Sequence, residues 1–197
     1  MPQAKNLDDQ ALDIILREAR TYSTWKDKDV PDSLLQQIYD LAKFGPTSAN
    51  CSPMRIKFVK SKEAKARLKP HMDAGNVDKT MNAPVTAIIA YDMKFYEHMP
   101  RLFPHAPDAK NWFKGDVIRS TAFRNSSLQG GYFILAARGL GLDCGPMSGF
   151  NAQAVKDEFF KGEDVEVNFL CNLGYGDPAK LYPRGPRFEF DEVCKIL

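Results

Sequence analysis

The 197-residue chain has little of what marks several large protein classes. Its four cysteines, Cys51, Cys144, Cys171 and Cys194, include no CxxC pair, and its three histidines, His71, His98 and His105, stand at no ligand spacing from them or from one another. That scatter argues against a structural zinc site or a disulfide scaffold, and lone thiols suit a reducing compartment. Long apolar runs are missing too: the longest, Val85–Tyr91 and Tyr132–Ala137, are far too short to cross a bilayer. The opening MPQAKNLDDQ is too charged for a signal peptide, so the expected location is cytoplasmic. Nor does charge of one sign dominate. With 27 Lys+Arg against 25 Asp+Glu, the formal charge is +2, and no basic block is present to grip nucleic-acid phosphates. No GxGxxG follows a strand, and no nucleophile elbow, metal signature, Walker loop or internal repeat occurs.

What remains is an ordinary globular composition, 44% hydrophobic and 26% charged, at a length that suits one domain over residues 1–197. Leu12, Ile15, Leu16 and Ala19 recur at helical spacing, with Asp8 or Asp9 as the cap. A second helix carries Leu34, Ile38, Leu41 and Ala42, with Ser33 and Gln36 as a capping box and Gly45-Pro46 as its end. Ile56–Lys60 and Val85–Tyr91 read as short strands separated by a lysine-rich helix beginning near Ser61. Residues 99–115, rich in proline and aromatics, read as an irregular loop of the sort that walls a site.

One long helix spans about Val117–Leu140 and ends at Gly139 and Gly141. Its middle, Asn125 to Gly131, is full of small residues. Two glycines there cost about 1 kcal/mol each relative to alanine, so a close backbone or a flat ligand is expected to compensate. Asn151 caps another helix, with Val155, Phe159 and Phe160 facing inward. Val165–Leu173 is the clearest strand, placing Val165, Val167, Phe169, Cys171 and Leu173 on one face. Helices outweigh a small sheet of about four strands, which predicts an α+β sandwich rather than a Rossmann domain.

Five polar segments stand out: Arg20-Thr21-Tyr22-Ser23, Pro46-Thr47-Ser48-Ala49-Asn50, Asn76 to Lys79, Gly145-Pro146-Met147-Ser148-Gly149-Phe150, and Arg184-Gly185-Pro186-Arg187. Singly, each is more often a solvated charge, a helix cap or a tight turn. Together, in order and spacing, they resemble the flavin-dependent nitroreductase family along nearly the whole chain. That family has a basic stretch after helix one, P-[ST]-S-x-N after helix two, N-x-x-K before the central strand, P-x-x-G-F after the long helix and a basic pair near the C-terminus. The stretches GPTSANCSP (45–53), FPH (103–105), FRNSS (123–127), GPMSGF (145–150) and GYGD (174–177) are similar to one branch, the malonic semialdehyde reductases.

The resemblance implies a three-layer sandwich with a small mixed sheet, an intertwined homodimer built around the Ser126–Gly131 helix, and FMN at the interface. It implies Arg20, Arg184 and Arg187 on the FMN phosphate, where guanidinium forks suit a dianion. Thr21, Tyr22, Thr24, Pro46 and Thr47 belong to the same cofactor set. Lys79 with Asn76 would sit at the flavin N1/O2 edge, where a cation favours the reduced form. Ser48 and Asn50 would reach the partner's flavin, and the Pro146-Met147-Ser148-Gly149 turn would offer a backbone N–H to N5. The chain departs from many relatives in having Thr24 where they carry lysine, Ser52-Pro53-Met54 for Gln-Pro-Trp, Ser148 for glutamate, and an Arg184–Arg187 spacing wider by one. Cys51 is assigned to packing.

The implied reaction is hydride transfer from NADH or NADPH through FMN to a small acceptor, with 3-oxopropanoate as the branch's substrate. Arg101, His105 and Arg124 are the candidate cations for its carboxylate. A broad nitro- or quinone reductase is the rival enzyme reading, and a flavin-binding protein without turnover the rival of another class.

Overall fold

The computed structural model describes residues 6–197. Half of the opening read for a signal peptide, residues 1–5, lies outside the described residues. In chain order the elements are α1 (Asp9–Leu12), which runs on as a π-helical turn Asp13–Arg17, α2 (Asp32–Ala42), β1 (Met54–Val59), α3 (Lys62–Leu68), α4 (Ala74–Met81) and β2 (Val85–Asp92). Then come α5 (Met99–Leu102), α6 (Asp116–Gly139), β3 (Asp143–Met147), α7 (Ala152–Phe159), β4 (Val165–Gly174) and α8 (Phe190–Val193). No helix among the described residues is long and apolar enough to cross a membrane.

The sheet order is β1-β2-β4-β3, and all three strand pairings are antiparallel. Its mixed character is confined to one isolated parallel bridge, Thr21 to Cys144. β2 is buried at every position because helices cover both faces. On one side Ala87, Ile89 and Val85 pack with Ile38 and Ala42 of α2 and Phe133 and Ala137 of α6. On the other, Ile88 and Ala90 meet Leu68 of α3 and Val155 of α7. A satellite cluster of Cys51, Tyr91, Phe95, Met99 and Ala122 sits under the 99–115 segment, which is a helix (α5) and a 3₁₀ run (Pro107–Trp112) rather than wholly irregular.

Local chemistry explains most of the element ends. Asp8, Ser61 and Asn151 cap their helices by accepting from Ala11, Ala64 and Ala154 N–H at 2.8, 3.1 and 3.0 Å. The expected Ser33/Gln36 capping box does not form. Pro31 is the N-cap, which puts Ser33 inside the first turn, and Gln36 bonds Asp40 instead.

β4 does not keep its apolar residues on one face. The register against β2 shifts between Ile89 and Ala90, opposite Phe169 and Val167, so Asn168 is bulged. Val165 and Val167 therefore face the α3/α7 core, and Phe169, Cys171 and Leu173 face the α2/α6 core. The Asn168 amide donates to Ser126 and Ser127 hydroxyls at 3.1 and 3.0 Å, tying the bulge to α6.

The small residues of α6 divide between two faces. Ser126 is fully buried against the sheet, and a Cβ on Gly130 would sit 2.6 Å from the Phe169 ring. Gly130 thus serves this chain's own close helix–sheet approach. The outward residues of that stretch are Ser127, Leu128 and Gly131. Of the face expected to bury helix one, Leu12, Ile15 and Ala19 are half-buried, while Leu16 is 53% exposed.

Candidate functional site

Residues 20–25 lie along β3, the free edge of the sheet. Tyr22 N–H donates to the Cys144 carbonyl at 3.1 Å, and Lys26 N–H to the Tyr175 carbonyl at 2.8 Å. The approach requires Gly145, where a Cβ would stand 2.6 Å from the Tyr22 carbonyl oxygen. The segment expected to be a GPMSG turn is therefore strand up to Met147. An edge strand tolerates Pro146 because one side of it needs no ladder donor. Thr24 is occupied structurally: its hydroxyl donates to the Asp177 carbonyl at 3.2 Å, and its carbonyl accepts from Asp177 N–H at 3.0 Å. Burial, with help from Asp143, raises the Tyr22 phenol above its ordinary value, so it stays protonated at neutral pH.

At the Arg20 end of this segment is a cavity of about 280 Å³ that gathers Arg20, Arg138, Lys180, Arg184 and Arg187, with no carboxylate in its lining. The guanidinium groups are fastened by backbone carbonyls. Arg20 donates to Tyr182, Arg184 to Ala19 at 3.0 Å, Arg187 to Gly185 and Pro186 at 3.0 and 2.9 Å, and Arg138 to Ile15 at 3.1 Å. Carbonyls orient these side chains without neutralising them, so the field of the cavity stays positive. Arg138 Nε is buried with no partner among the described residues. This donor set suits a phosphate dianion. The sequence reading found three of the five cations. Arg138, at the end of the long helix, and Lys180, after the GYGD turn, lie outside any motif.

At the other end, Trp25 Nε1 donates to the Lys79 carbonyl at 3.0 Å, which places α4 beside the same edge. Asn76 and Lys79 are on this helix rather than in a turn. Asn76 Nδ2 donates to the Gly149 carbonyl at 2.8 Å, and any Cβ on Gly149 would collide with that amide. In Pro146-Met147-Ser148, the outer two are exposed while Met147 is buried, its sulfur accepting from the Thr80 hydroxyl at 3.4 Å. Ser148 and Gly149 N–H groups donate to no protein acceptor among the described residues.

A buried chain of polar groups fixes the end of α4. Lys65 Nζ donates to the Thr80 carbonyl and the Thr86 hydroxyl, both at 2.7 Å. Thr86 donates to Asn172 Oδ1 at 2.7 Å, and Asn172 Nδ2 to the Lys79 carbonyl at 3.1 Å. No carboxylate joins the chain, and Lys60, Lys62 and Lys69 share the rim around Lys65. Burial pulls the Lys65 ammonium from 10.5 down to about 7. Between those values the unfolded chain holds the extra proton. Wild-type stability therefore gains with rising pH, by up to about 1.4 kcal/mol per pH unit, relative to a chain lacking this group. In urea titrations from pH 7 to 10, Lys65→Met is expected to lose that slope, and an unchanged slope refutes the assignment.

The Pro46–Asn50 turn belongs to another corner. Ser48 N–H donates to Asn125 Oδ1 at 2.8 Å, Asn50 Nδ2 to the Leu102 carbonyl at 2.8 Å, and Ser52 N–H to the Thr47 hydroxyl at 3.1 Å. Ala49, Asn50 and Ser52 all have left-handed φ, of 48°, 52° and 39°. Three such non-glycine residues in four positions mark strain that the surroundings must hold in place. Cys51 beneath them is buried, its thiol pushed up to about 11, which fits packing. Arg101 follows the turn into this corner through its neighbour Leu102. His105 is exposed with its ring on Phe103, and Arg124 is exposed on α6 with no ion pair among the described residues.

The sequence profile of the Nitroreductase family matches residues 16–175, and the chain belongs to that family. A Burkholderia lata protein, provisionally named NADH dehydrogenase/NAD(P)H nitroreductase, is 62% identical over 192 residues, covering 96% of this chain and 98% of its own. HadB of Ralstonia pickettii, of the same provisional name, is 53% identical over 94% of this chain and 97% of its own. Among solved structures, a nitroreductase from Exiguobacterium sibiricum in complex with FMN superposes with a TM-score of 0.87 at 19% identity, covering 99% of this chain and all of that one. An enone reductase of gut-bacterial fatty-acid saturation gives 0.83 at 16%, over 98% and 100%.

Proposed function

We propose that this chain is an FMN-dependent NAD(P)H oxidoreductase whose acceptor is a short carboxylate-bearing aldehyde, 3-oxopropanoate. The observation that carries the flavin reading is the five-cation cavity joined by one edge, Arg20 to Trp25, to Asn76, Lys79 and Gly149. Arg20, Arg184 and Arg187, joined by Arg138 and Lys180, hold the phosphate. Lys79 and Asn76 serve the polar edge of the ring, and the Pro146–Gly149 run presents backbone N–H groups. Bound there, FMN would accept hydride from NADH or NADPH and pass it to the acceptor. Thr21 and Tyr22 line the approach, and Tyr22, kept protonated, is a proton source for the product alkoxide.

The same reading makes the protein a cytoplasmic homodimer. Leu41, Phe44, Phe123 and Leu128 are exposed, as are Phe188, Phe190, Val193 and Ile196 of the C-terminal arm. Apolar surface of that extent is usually covered by a partner. A second copy accounts for Ser48 and Asn50, which make no hydrogen bond to the Lys79 region among the described residues and instead serve the partner's flavin.

The purified protein is expected to be yellow, to bleach with NAD(P)H and to recover colour with an acceptor. Bleaching separates an oxidoreductase from a flavin store. For the acceptor, kcat/KM for 3-oxopropanoate should exceed that for propanal by about tenfold to a hundredfold, the worth of one charge-assisted contact. A nitroaromatic that outruns both aldehydes would return the protein to the broad nitroreductase reading that its relatives' names suggest.

A further inference from the structure

Between α2, the start of β1, α5 and α6 lies a second cavity, of about 370 Å³, that the flavin reading leaves unused. Its wall carries Lys43, Arg55, His98 and Arg101, and no carboxylate lines it. Arg55 is held from behind by Asp92 and by the Ser52 and Met54 carbonyls at 3.2 and 3.0 Å, and His98 Nε2 lies 3.3 Å from the same Asp92. Lys43 is held by Asp40 at 2.6 Å. Arg101 has no hydrogen-bond or ion-pair partner among the described residues.

An independent observation comes from the cavity's floor. Gln129 is only 5% exposed, and its Oε1 accepts from Met54 N–H at 2.9 Å. An N–H cannot face an NH2, so this bond settles which end of the amide is which. The Nε2 donors are left with no protein acceptor, on a side chain that lines the cavity. A largely buried glutamine whose NH2 has no protein acceptor, sharing one lining with a free guanidinium, suits an acceptor with two oxygens. Ser52 and Met54 line the same space.

We propose that this cavity is a binding site for a short aliphatic carboxylate, taken between the Arg101 guanidinium and the Gln129 amide within the field of Arg55, Lys43 and His98. It adjoins the strained Ser48–Asn50 turn through Ser52 and Leu102, so in the dimer of the reading above, on which this assignment rests, it would hold the carboxylate end of an acceptor at the partner's flavin. Arg101 is thereby retained from the sequence-based candidates, whereas His105 and Arg124 do not line the cavity.

Malonate is the probe, titrated calorimetrically into the flavin-loaded protein. Wild type is expected to bind it. Arg101→Met, at an exposed position, should weaken binding at least tenfold. Gln129→Glu keeps the acceptor for Met54 N–H but turns the free donors into an anion, and should weaken binding a hundredfold or more. The kcat/KM ratio of 3-oxopropanoate to propanal should fall in both variants. Wild-type affinity in both variants, or no binding to wild type, overturns the assignment. So does loss of binding that accompanies dissociation of a dimer, which would give the cavity to the acidic Glu189–Glu192 segment of a second copy. Bleaching by NADPH on the same samples separates the two levels. A protein that bleaches but ignores malonate fails here alone, and one that binds malonate but does not bleach fails the flavin reading.

Discussion

Replacing Arg20 with alanine is expected to lower FMN affinity by roughly tenfold to a hundredfold, the largest binding effect of any single change in the cation cavity. A hydrogen bond to a charged group contributes about 1.5–3 kcal/mol, and each 1.4 kcal/mol is a factor of ten. Arg20 carries more than its own contact, because its guanidinium also fastens the Tyr182 carbonyl and so holds the segment bearing Arg184 and Arg187 against the 20–25 edge. Arg20→Lys keeps the charge but loses the fork, and should recover only part of the loss. Fluorescence titration of the stripped protein with FMN measures both. Equal affinity in wild type and alanine variant would remove the phosphate assignment.

Gly130→Leu is expected to destabilise the chain itself by about 1–3 kcal/mol or more, because added atoms would have to displace the Phe169 ring from the core. For a chain of this size that lowers the melting temperature by several degrees. Gly131 is the contrasting position. A Cβ there meets nothing within 4 Å, so Gly131→Leu leaves the fold of one chain unstrained and instead probes the outward face of α6. Thermal melts and sedimentation separate the two. Gly130→Leu should shift melting, and Gly131→Leu should shift the monomer–dimer balance. If Gly130→Leu melts like wild type while the dimer dissociates, the helix is oriented the other way.

Much of the fold was legible because local rules and tertiary packing agree along most of the chain. Asn151 reads as a cap and acts as one, Asp8 is the cap of the two candidates Asp8 and Asp9, the helix read as beginning near Ser61 starts there, and the unbroken apolar run of β2 reads as a strand covered on both faces, which it is. The failures fall where the backbone obeys a distant partner. Gly145-Pro146 has the composition of a turn, but pairing with Cys171 and Asn172 of β4 makes it strand. The alternation in β4 is real, yet Asn168 interrupts its phase, and one polar residue among several carries no mark of a bulge. Ser33 and Gln36 stand at capping-box spacing, but Pro31 already sets the entry into α2. In the site, motif residues were visible because their spacing is distinctive. Arg138, Lys180, Gln129 and Lys65 were not, since what sets them apart is a missing partner or a buried position. Residue type alone conveys neither.

The five cations of the cavity beside Arg20 have a cost that is paid at birth. Until a doubly negative group arrives, they repel one another across a space that no carboxylate relieves, and the arm from Leu181 onward hangs from that corner by carbonyl contacts. With the phosphate bound as proposed, a dianion shared by Arg20, Arg184 and Arg187 would relieve that repulsion and tie the arm to the 20–25 edge. The cofactor would then protect the arm from proteolysis as well as complete the site.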